Sequence, residues 1–572
     1  MPIKTELTEY ASLGGTTAPY ADNLHVDVLI VGAGFGGIYA LYEMRKLGLK
    51  AVIYEAGDDI GGTWRWNCYP GAGVDSEVPE YEFSIPEVWK DWTWSTNYPT
   101  YDELRKYFDH VDSVLNIKKD CAFQSVVVKA QFKVEESRWH VTTADGRNAY
   151  AKYFIVAAGF AARRYIPEWP GIGSFKGVIH HSSFWPSEDM DVGDKRCAVI
   201  GTGASGVQVT QAWGPKAGSL KVFQRTPNLA IPMRKRALTA REQQNVKAVY
   251  PELFSLRYTS FAGFTYDFFE KGVFEDNEEE RETTLERVWE KGGFRYWVGT
   301  YKDHLFDLKA NKVVYDFWRR KVRERIQDAA LQELLAPLHA PHPFGVKRPC
   351  LEYNYYEQFN RPNVELVNIK NNPIVGFTET GIRLEDGTVH ELDVICIATG
   401  FDVVTGGMTQ MGLQSIHGTN LRDEWKNGIS TNLGLAVCGY PNMFYMYGPH
   451  GPTLFSNGPT CVEVQGRWIA DAIKTMERQQ IRYIEPTPEA AETWTKRIHE
   501  LAGKTLFPTT RSTYMGGNVP GKPFEPVCFV GGIPAYLQEI RAVLPSFTGF
   551  NVVVESDASK KHSDLCQDTV SH

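Results

Sequence analysis

The chain contains 572 residues, of which 43% are hydrophobic, 13% aromatic and 23% charged. A chain of this length exceeds what one hydrophobic core usually organises, so two or three domains are expected, and the composition excludes a disordered or fibrous protein. The net charge of -8 leaves no basic surface, which argues against nucleic acid and acidic membrane surfaces as partners.

The cysteines and the apolar runs indicate the compartment. Nine cysteines are scattered without a C-x-x-C pair, so neither a disulfide framework nor a metal site is predicted, and a reducing compartment such as the cytoplasm fits best. The most apolar run, residues 28–41, is interrupted by glycines and is shorter than the roughly 18 residues that a membrane helix needs. Residues 1–20 lack the apolar centre of a secretory leader, so we expect neither export nor a membrane partner.

Residues 26–55 predict a βαβ unit, with an apolar strand, a glycine turn, a helix and a second strand. In such a unit the glycines bring the backbone close to a pyrophosphate, and the free amides at the start of the helix favour the anion. Glu55 ends the second strand, where a carboxylate can bond a ribose hydroxyl. A turn used only for packing is the alternative. The residues expected to bind this first dinucleotide are Gly32, Gly34, Phe35, Gly36, Gly37 and Glu55.

Two later segments combine turn residues with aromatics. Residues 61–75, G-G-T-W-R-W-N-C-Y-P-G-A-G-V-D, predict an ordered loop that lies on a large ligand, and Asp75 by itself would cap backbone amides in a turn. Residues 175–186, F-K-G-V-I-H-H-S-S-F-W-P, lie between two glycine-rich turns and predict a hinge. His181 in this segment is interpreted as a packed structural residue and not as an acid-base catalyst.

From residue 195 the strand, glycine turn and helix are repeated in the same register. A second dinucleotide is therefore expected. Where the first unit has Glu55, the second has Gln224, Arg225 and Thr226. An acid selects a free 2'-hydroxyl, whereas an arginine and a hydroxyl accommodate a 2'-phosphate, so NADP is predicted rather than NAD; a merely solvated Arg225 is the alternative. The turn residues expected to bind it are Gly201, Thr202, Gly203, Ala204, Ser205 and Gly206.

The rest of the chain contains one helical region and two turn-rich loops. Residues 238–338 interleave charges with aromatics and predict amphipathic helices without chemistry of their own. The loops are P-F-G-V-K-R at residues 343–348 and G-P-H-G-P-T-L-F-S-N at residues 448–457, and loops of this kind carry function. Residues 555–572 are polar and without periodicity, which predicts disorder.

Three of these patterns resemble those of the flavin-dependent Baeyer-Villiger monooxygenases, over about residues 25–554. They are the P-F-G-V-K-R turn, the spacing of Gly62, Trp64, Tyr69, Pro70, Gly71 and Asp75, and the spacing of Phe175, Gly177, His181, Trp185 and Pro186. The resemblance implies an α/β fold with two Rossmann-like dinucleotide-binding domains, that of a two-dinucleotide-binding flavoprotein, and a helical insert. The implied domains are an FAD-binding domain of residues 1–160 and 390–572, an NADP-binding domain of residues 161–236 and 341–389, and a helical subdomain of residues 237–340.

The resemblance also implies roles for single residues. Arg348 corresponds to the catalytic arginine and Asp75 to the aspartate that orients it, while Lys347 contacts the NADP 2'-phosphate. Residues placed against FAD are Thr63, Trp64, Tyr69 and Asp75, and those placed around the substrate are Pro449, Thr453, Leu454 and Phe455. The chain departs from the family at Thr513, where a tryptophan that contacts the nicotinamide cofactor is usual, so the details of cofactor closure are open.

The implied reaction takes hydride from NADPH to FAD, forms a C4a-peroxyflavin with O2 and converts a ketone to an ester or lactone. The partners are then a small ketone and O2, and the protein is expected to be a monomer or a weak oligomer. An N- or S-oxygenating flavin monooxygenase is the alternative, although its fingerprint lacks the ending that Trp185 and Pro186 supply. A non-catalytic NADP(H)-sensing flavoprotein also stays open, whereas a disulfide reductase is excluded by the missing cysteine pair.

Overall fold

The computed structural model describes residues 22–186 and 190–554. The segment predicted to be disordered, residues 555–572, and residues 1–21 lie outside the described part. Within that part the chain is a mixed α/β protein built on two sheets that contain parallel βαβ units. This arrangement confirms the predicted fold class.

The first sheet is organised around Leu24–Val31, which pairs in parallel with Ala51–Tyr54 and Asn148–Val156. Helix Phe35–Lys46 joins the first two strands, as the apolar pattern predicts. The last four residues of Leu24–Val31 are buried, because a parallel strand is covered on both faces. The other strands of this sheet are Cys121–Ala122, Val127–Lys133, Arg138–Thr143, Leu413–Gln414 and Met443–Tyr445.

The second sheet is fully parallel and has helix Ala204–Trp213 between two of its strands. Its strands, in spatial order, are Val364–Asn368, Ser219–Gln224, Arg196–Ile200, Val394–Ile397 and Val178–His181.

The position of Val394–Ile397 changes one predicted boundary. This strand pairs with Arg196–Ile200 and with Val178–His181, so it belongs to the second sheet, although a boundary at residue 390 assigns it to the first domain. The chain returns to the first sheet only afterwards. Near this return, Arg164 and Phe401 form an isolated bridge, so the two crossing segments run side by side.

The region of residues 238–338 is helical, with helices Ala240–Val246, Tyr250–Leu256, Glu278–Lys291, Arg295–Val298, Leu308–Arg323 and Ala329–Leu335. Asn277 and Glu280 cap the third of these reciprocally, and the side chain of Asp307 caps the fifth. The third helix buries Leu285 and Trp289 while its charged residues face outward, which is the amphipathic pattern that the sequence predicts.

Helix Gly458–Arg478 returns the chain to the first unit and packs on helix Phe35–Lys46. A Cβ atom at Gly466 would lie 2.6 Å from the Tyr39 ring, so glycine permits this close helix approach. No helix of residues 22–186 and 190–554 is long and apolar enough to cross a membrane. The remaining helices are Thr63–Trp66, Pro86–Trp89, Tyr101–Leu115, Tyr355–Gln358, Gly406–Thr409, Leu421–Glu424, Pro488–Gly503 and Ile533–Val543, and the remaining strands are Ile231–Pro232, Leu351–Glu352, Ile374–Thr378, Gly381–Leu384, Val389–Glu391, Ile481–Pro486 and Phe550–Val554.

Candidate active site between the two nucleotide turns

The first glycine turn has the geometry that a dinucleotide needs. Gly32 has a φ of +102°, and a Cβ atom there would lie 2.5 Å from the Ala157 carbonyl oxygen. A Cβ atom at Gly37 would lie 1.7 Å from the carbonyl oxygen of Gly32. Only glycine fits either position. The resulting tight turn leaves the backbone amides at the helix start, Phe35, free to bind an anion.

Glu55 holds this turn in place. Its buried carboxylate accepts hydrogen bonds from the amides of Ala33 at 2.6 Å and Gly57 at 2.7 Å. Burial raises the pKa of the Glu55 carboxyl, and the two amides oppose that rise. Glu55 also lines the cleft over the turn, so the residue that the sequence assigns to a ribose hydroxyl also fixes the backbone around it.

A cleft of about 290 Å³ opens over the first turn, close to the lower end of the range for ligand sites, roughly 300 Å³. The cleft suits FAD. Because its glycines carry no side chains, the backbone is uncovered and a dinucleotide can lie against it. Tyr69 and Asp75, also assigned to FAD, are not part of the lining. Lining residues that the sequence predicts include Gly32, Gly34, Phe35, Gly36, Thr63 and Trp64.

Tyr69 instead joins the two nucleotide units. Its hydroxyl donates to Gln208 Oε1 at 2.7 Å, and Gln208 Nε2 donates to the Gly73 carbonyl at 2.9 Å. Gln208 belongs to helix Ala204–Trp213 of the second unit. The loop of residues 61–75 is thus ordered, as predicted, and it is held from both sides.

The second glycine turn repeats the first. Gly201 has a φ of +110° and would place a Cβ atom 2.5 Å from the Ala398 carbonyl oxygen, and a Cβ atom at Gly206 would lie 2.0 Å from the carbonyl oxygen of Gly201. Nothing lies within 4 Å of a Cβ atom at Gly203, so that position is open. The Thr202 hydroxyl donates to the Thr226 carbonyl at 2.9 Å, and Ala204 and Ser205 begin the helix.

Two cations lie together beside the second turn. Arg225 is exposed, and Lys347 is half-buried. Burial lowers the pKa of Lys347, and the neighbouring Arg225 guanidinium lowers it further. Within the described residues neither cation forms a salt bridge with a carboxylate. A pair of adjacent cations without an acid is an arrangement that suits a phosphate.

His181 lies at the crossing between the two sheets. It is 3% exposed, its Nδ1 accepts from the Ser183 amide at 3.0 Å, and its Nε2 lies 3.1 Å from the Gly400 carbonyl oxygen. Burial, with the nearby Arg164 guanidinium, lowers the pKa of His181 to about 3. A neutral ring with both nitrogens engaged fits a structural role better than acid-base chemistry.

The rest of residues 175–186 links the second sheet to the loop of the first unit. The Cys68 thiol lies 3.0 Å from the Trp185 carbonyl oxygen, which precedes Pro186, and the Phe184 amide donates to the Trp66 carbonyl at 3.0 Å. Phe175 is buried, and a Cβ atom at Gly177 would lie 2.4 Å from the Asp393 carbonyl oxygen. The segment therefore contacts both units, as its position between them predicts.

Arg348 and Asp75, which are 273 residues apart in sequence, meet directly. The Nε and Nη2 atoms of Arg348 donate to Asp75 Oδ2 at 3.1 and 3.0 Å, and Nη1 donates to the Leu454 carbonyl at 2.9 Å. Burial opposes the charged form, but Asp75 and the phenols of Tyr514 and Tyr447 raise the pKa of Arg348 above its ordinary value. The side chain is 29% exposed, so the cation is fixed but still partly accessible.

The loop of residues 448–457 lies against this arginine. The Thr453 hydroxyl donates to the Gly448 carbonyl at 2.6 Å, and the Pro449 carbonyl accepts from a buried tyrosine at 2.8 Å. Leu454 supplies its carbonyl to Arg348, and the Phe455 ring lies 5.3 Å from the Trp297 ring. The loop thus contributes backbone as well as side chains to the surroundings of Arg348.

Sequence reasoning missed the aromatic residues around Arg348. The Phe294 ring lies 4.4 Å from the guanidinium and the Trp297 ring 5.6 Å, and both belong to the helical region to which the sequence assigned no chemistry. The G-G-F-R-Y-W stretch at residues 292–297, with consecutive glycines beside aromatics, is the signal that could have found them. Thr513 is half-buried at the start of the 3-10 turn Thr513–Met515, directly before Tyr514.

No group of three or more His, Cys, Asp or Glu side chains in residues 22–186 and 190–554 is arranged to hold a metal ion. The eight cysteines of that part are all free thiols.

This chain is similar to known flavin-dependent monooxygenases. A family model described as Flavin-binding monooxygenase-like matches residues 25–228. The FAD-binding monooxygenase acrE of Aspergillus aculeatus is 60% identical over 555 residues, which cover 97% of this chain and 93% of that protein. Cyclopentanone 1,2-monooxygenase of Comamonas sp. is 43% identical over 93% of this chain and 96% of its own length.

Solved structures extend the likeness to three dimensions. Cyclohexanone monooxygenase from Rhodococcus sp. Phi1 bound to NADP+ superposes with a TM-score of 0.89 at 37% identity, covering 93% of this chain and 100% of that one. The OTEMO complex with FAD and NADP gives a TM-score of 0.89 at 33% identity, covering 92% and 99%. Because the likeness spans nearly the whole chain, this protein belongs to the flavin-dependent Baeyer-Villiger monooxygenases, with FAD and NADP as its cofactors.

Proposed function

We propose that this enzyme uses NADPH and O2 to convert a small ketone to an ester or lactone, and that Arg348 is its catalytic cation. The observation that carries the proposal is the guanidinium of Arg348, held by Asp75 and the Leu454 carbonyl while still partly exposed. FAD, which the residues of the first cleft would hold, would supply the electrons that activate O2. The remaining steps depend on residues of this chain.

Arg348 has N–H groups that its contacts to Asp75 and Leu454 do not use. A guanidinium carries five N–H groups, and the contacts to Asp75 and Leu454 use one on each of its three nitrogens. Two N–H groups are left to hold a negatively charged oxygen, such as the ketone oxygen as it gains charge. A fixed cation in a site poor in water stabilises such charge without reorganisation.

Asp75 aims this cation and offsets its burial. Both of its contacts to Arg348 go to the single oxygen Oδ2, on the side of the fork that includes Nε. A half-buried cation without a partner would be costly. We therefore assign Asp75 an indirect role through Arg348.

Lys347 and Arg225 select the coenzyme in this proposal. They lie together without an acidic partner, and Lys347 directly precedes the catalytic arginine. A 2'-phosphate between these cations would separate NADPH from NADH by charge-assisted hydrogen bonds.

The substrate is proposed from relatives and from the walls of the site. Related proteins are named for cyclopentanone, cyclohexanone and acetone, and the surroundings of Arg348 include the rings of Phe294, Trp297 and Phe455. We propose a ketone with an apolar body as the substrate.

The free state of the eight described cysteines supports the proposal of a cytoplasmic location.

Arg348→Ala tests the function. We expect ester formation to fall by about 100- to 1,000-fold, because one preorganised electrostatic contact is lost, while anaerobic reduction of the flavin by NADPH stays largely intact. Asp75→Ala should also lower ester formation, but by a smaller factor. Stopped-flow absorbance measures the reduction, and mass spectrometry of products across a panel of cyclic and linear ketones measures the ester.

Arg295→Ala is the matched control. Arg295 also pairs with an acid, Glu77 at 2.8 Å, and stacks on an aromatic ring, Tyr266 at 4.4 Å, so its loss tests packing without removing the catalytic cation. Near wild-type ester formation by Arg348→Ala would contradict the catalytic assignment. Collapse of flavin reduction in that variant would assign Arg348 to nicotinamide positioning instead.

A further inference from the structure

The Leu454 carbonyl is presented to Arg348 by an unusual backbone. Leu454 has a φ of +67°, in the left-handed region that a leucine rarely adopts. The bond from the Thr453 hydroxyl to the Gly448 carbonyl at 2.6 Å holds the preceding turn. Backbone strain of this kind persists where the surroundings over-determine it, and it is frequent at functional sites. Here it turns a carbonyl oxygen to within 2.9 Å of Arg348 Nη1.

A second group lies on the same carbonyl. The hydroxyl of Tyr514 lies 3.4 Å from the Leu454 carbonyl oxygen, and the phenol is 2% exposed. Its ring is packed 4.8 Å from the Phe507 ring and 6.3 Å from the Phe455 ring, so the hydroxyl has little freedom to turn away. A carbonyl oxygen has two lone pairs; Arg348 donates to one at 2.9 Å, and the Tyr514 hydroxyl approaches the same oxygen at the long end of the hydrogen-bond range.

Tyr514 is also electrostatically close to the guanidinium. Burial raises the pKa of the phenol, and Arg348 opposes that rise, so the group stays a neutral O–H dipole beside the cation. Its backbone carbonyl accepts from the Val527 amide at 3.0 Å, and the Val527 carbonyl accepts from the His450 amide at 2.9 Å. The turn Thr513–Met515 is thereby tied to the loop that carries Leu454.

We propose that Tyr514 is a positioning residue for Arg348, because its hydroxyl fixes the Leu454 carbonyl that sets the direction of the guanidinium. In this proposal the two N–H groups of Arg348 that contact neither Asp75 nor the Leu454 carbonyl keep their direction only while this carbonyl is held. The role rests on the proposed function of Arg348 and adds to it a group from a segment more than a hundred residues away in sequence. Tyr514 itself touches neither substrate nor cofactor in this account.

Tyr514→Phe tests the role, because it removes one oxygen and keeps the ring. Loss of one neutral hydrogen bond lowers ester formation by about two- to tenfold. Flavin reduction by NADPH should stay within about twofold of wild type, since it does not use the guanidinium direction. The share of NADPH electrons that ends as hydrogen peroxide instead of ester should rise. This split is the readout, because a merely structural loss would lower both half-reactions together.

Tyr445→Phe is the control. Its buried hydroxyl donates to the Pro449 carbonyl at 2.8 Å in the same loop but does not contact the Leu454 carbonyl, so it should change thermal stability without changing the peroxide share. An unchanged peroxide share in Tyr514→Phe, or an equal rise in Tyr445→Phe, overturns the positioning role. The wild-type enzyme separates the two hypotheses: no ester from any ketone refutes the proposed function, whereas wild-type ester with unaltered Tyr514→Phe refutes only the role of Tyr514.

Discussion

The two glycine turns of this enzyme have nearly the same backbone geometry, although they lie in different units. Cβ atoms at Gly32 and Gly201 would each lie 2.5 Å from a carbonyl oxygen, and Cβ atoms at Gly37 and Gly206 would lie 1.7 and 2.0 Å from one. The steric demand of a helix packed on a strand determines both turns. The turn alone therefore cannot tell one dinucleotide from the other.

The residues at the ends of the second strands differ. In the first unit Glu55 is buried and bonded to the turn amides. In the second, Gln224 is buried with its Nε2 donating to the Leu334 carbonyl at 2.8 Å, and the next residue, Arg225, is exposed beside Lys347. The comparison teaches that the two turns share one backbone geometry while the strand ends carry different side chains, and we propose that the strand end selects the ribose.

The largest effect should come from adding one methyl group to each turn. Gly37→Ala should abolish FAD retention, since its Cβ atom would overlap the Gly32 carbonyl. Gly206→Ala should leave the protein yellow and reducible by dithionite, but should abolish reduction by NADPH. Flavin absorbance and anaerobic reduction measure the two outcomes.

Gly503→Ala is the control for these variants, because no atom apart from its chain neighbours and its own helix backbone lies within 4 Å of a Cβ atom there. If Gly206→Ala also released FAD, the two turns would not be independent sites, and the comparison between them would fail.

A smaller effect is expected at the end of the second strand. Arg225→Ala should weaken NADPH use by about tenfold or more, because one charge-assisted hydrogen bond is worth roughly 1.5 to 3 kcal/mol. NADH use should change little, since NADH lacks the 2'-phosphate. The ratio of kcat/KM for the two coenzymes is the measurement, and equal losses with both would show that Arg225 is structural.

The last effect concerns stability, and not catalysis, at the crossing of the second unit. His181 has a pKa of about 3 in the folded protein against about 6.5 when unfolded. The unfolded chain therefore binds a proton first, and stability is fully present above pH 6.5 and falls as the pH falls toward 3. At pH 5 the loss is about 2 kcal/mol.

The Tm of His181→Gln should accordingly decrease less than that of the wild type when the pH is lowered from 8 to 5. Its Tm at pH 8 should itself be lower than that of the wild type, because two hydrogen bonds change. His140→Gln is the control, since His140 is partly exposed and pairs with Glu136. A wild-type pH dependence in His181→Gln would show that the pKa of His181 does not shift on folding.

Much of this molecule follows from local sequence. The glycine spacings, the apolar strands around them, Glu55 and Arg225 all lie within two short units, and their geometry depends on neighbours along the chain. The two dinucleotide-binding units and the preference for NADP were predictable for that reason, and so were the amphipathic helices of residues 238–338, whereas FAD and the flavoprotein fold were predicted through resemblance to a family. The pairing of Asp75 with Arg348 was predicted only through resemblance to a family.

Tertiary structure alone decided the rest, because the contacts join distant parts of the chain. The strand Val394–Ile397 has an apolar pattern that fits either sheet, and only its pairing assigns it to the second. Nothing local in the sequence shows that Phe294 packs on Arg348 or that Leu454 turns its carbonyl to that arginine. The guanidinium of Arg348 contacts an acid, a carbonyl and two rings from three other segments of the chain, and the spacing of residues along the sequence does not encode these contacts.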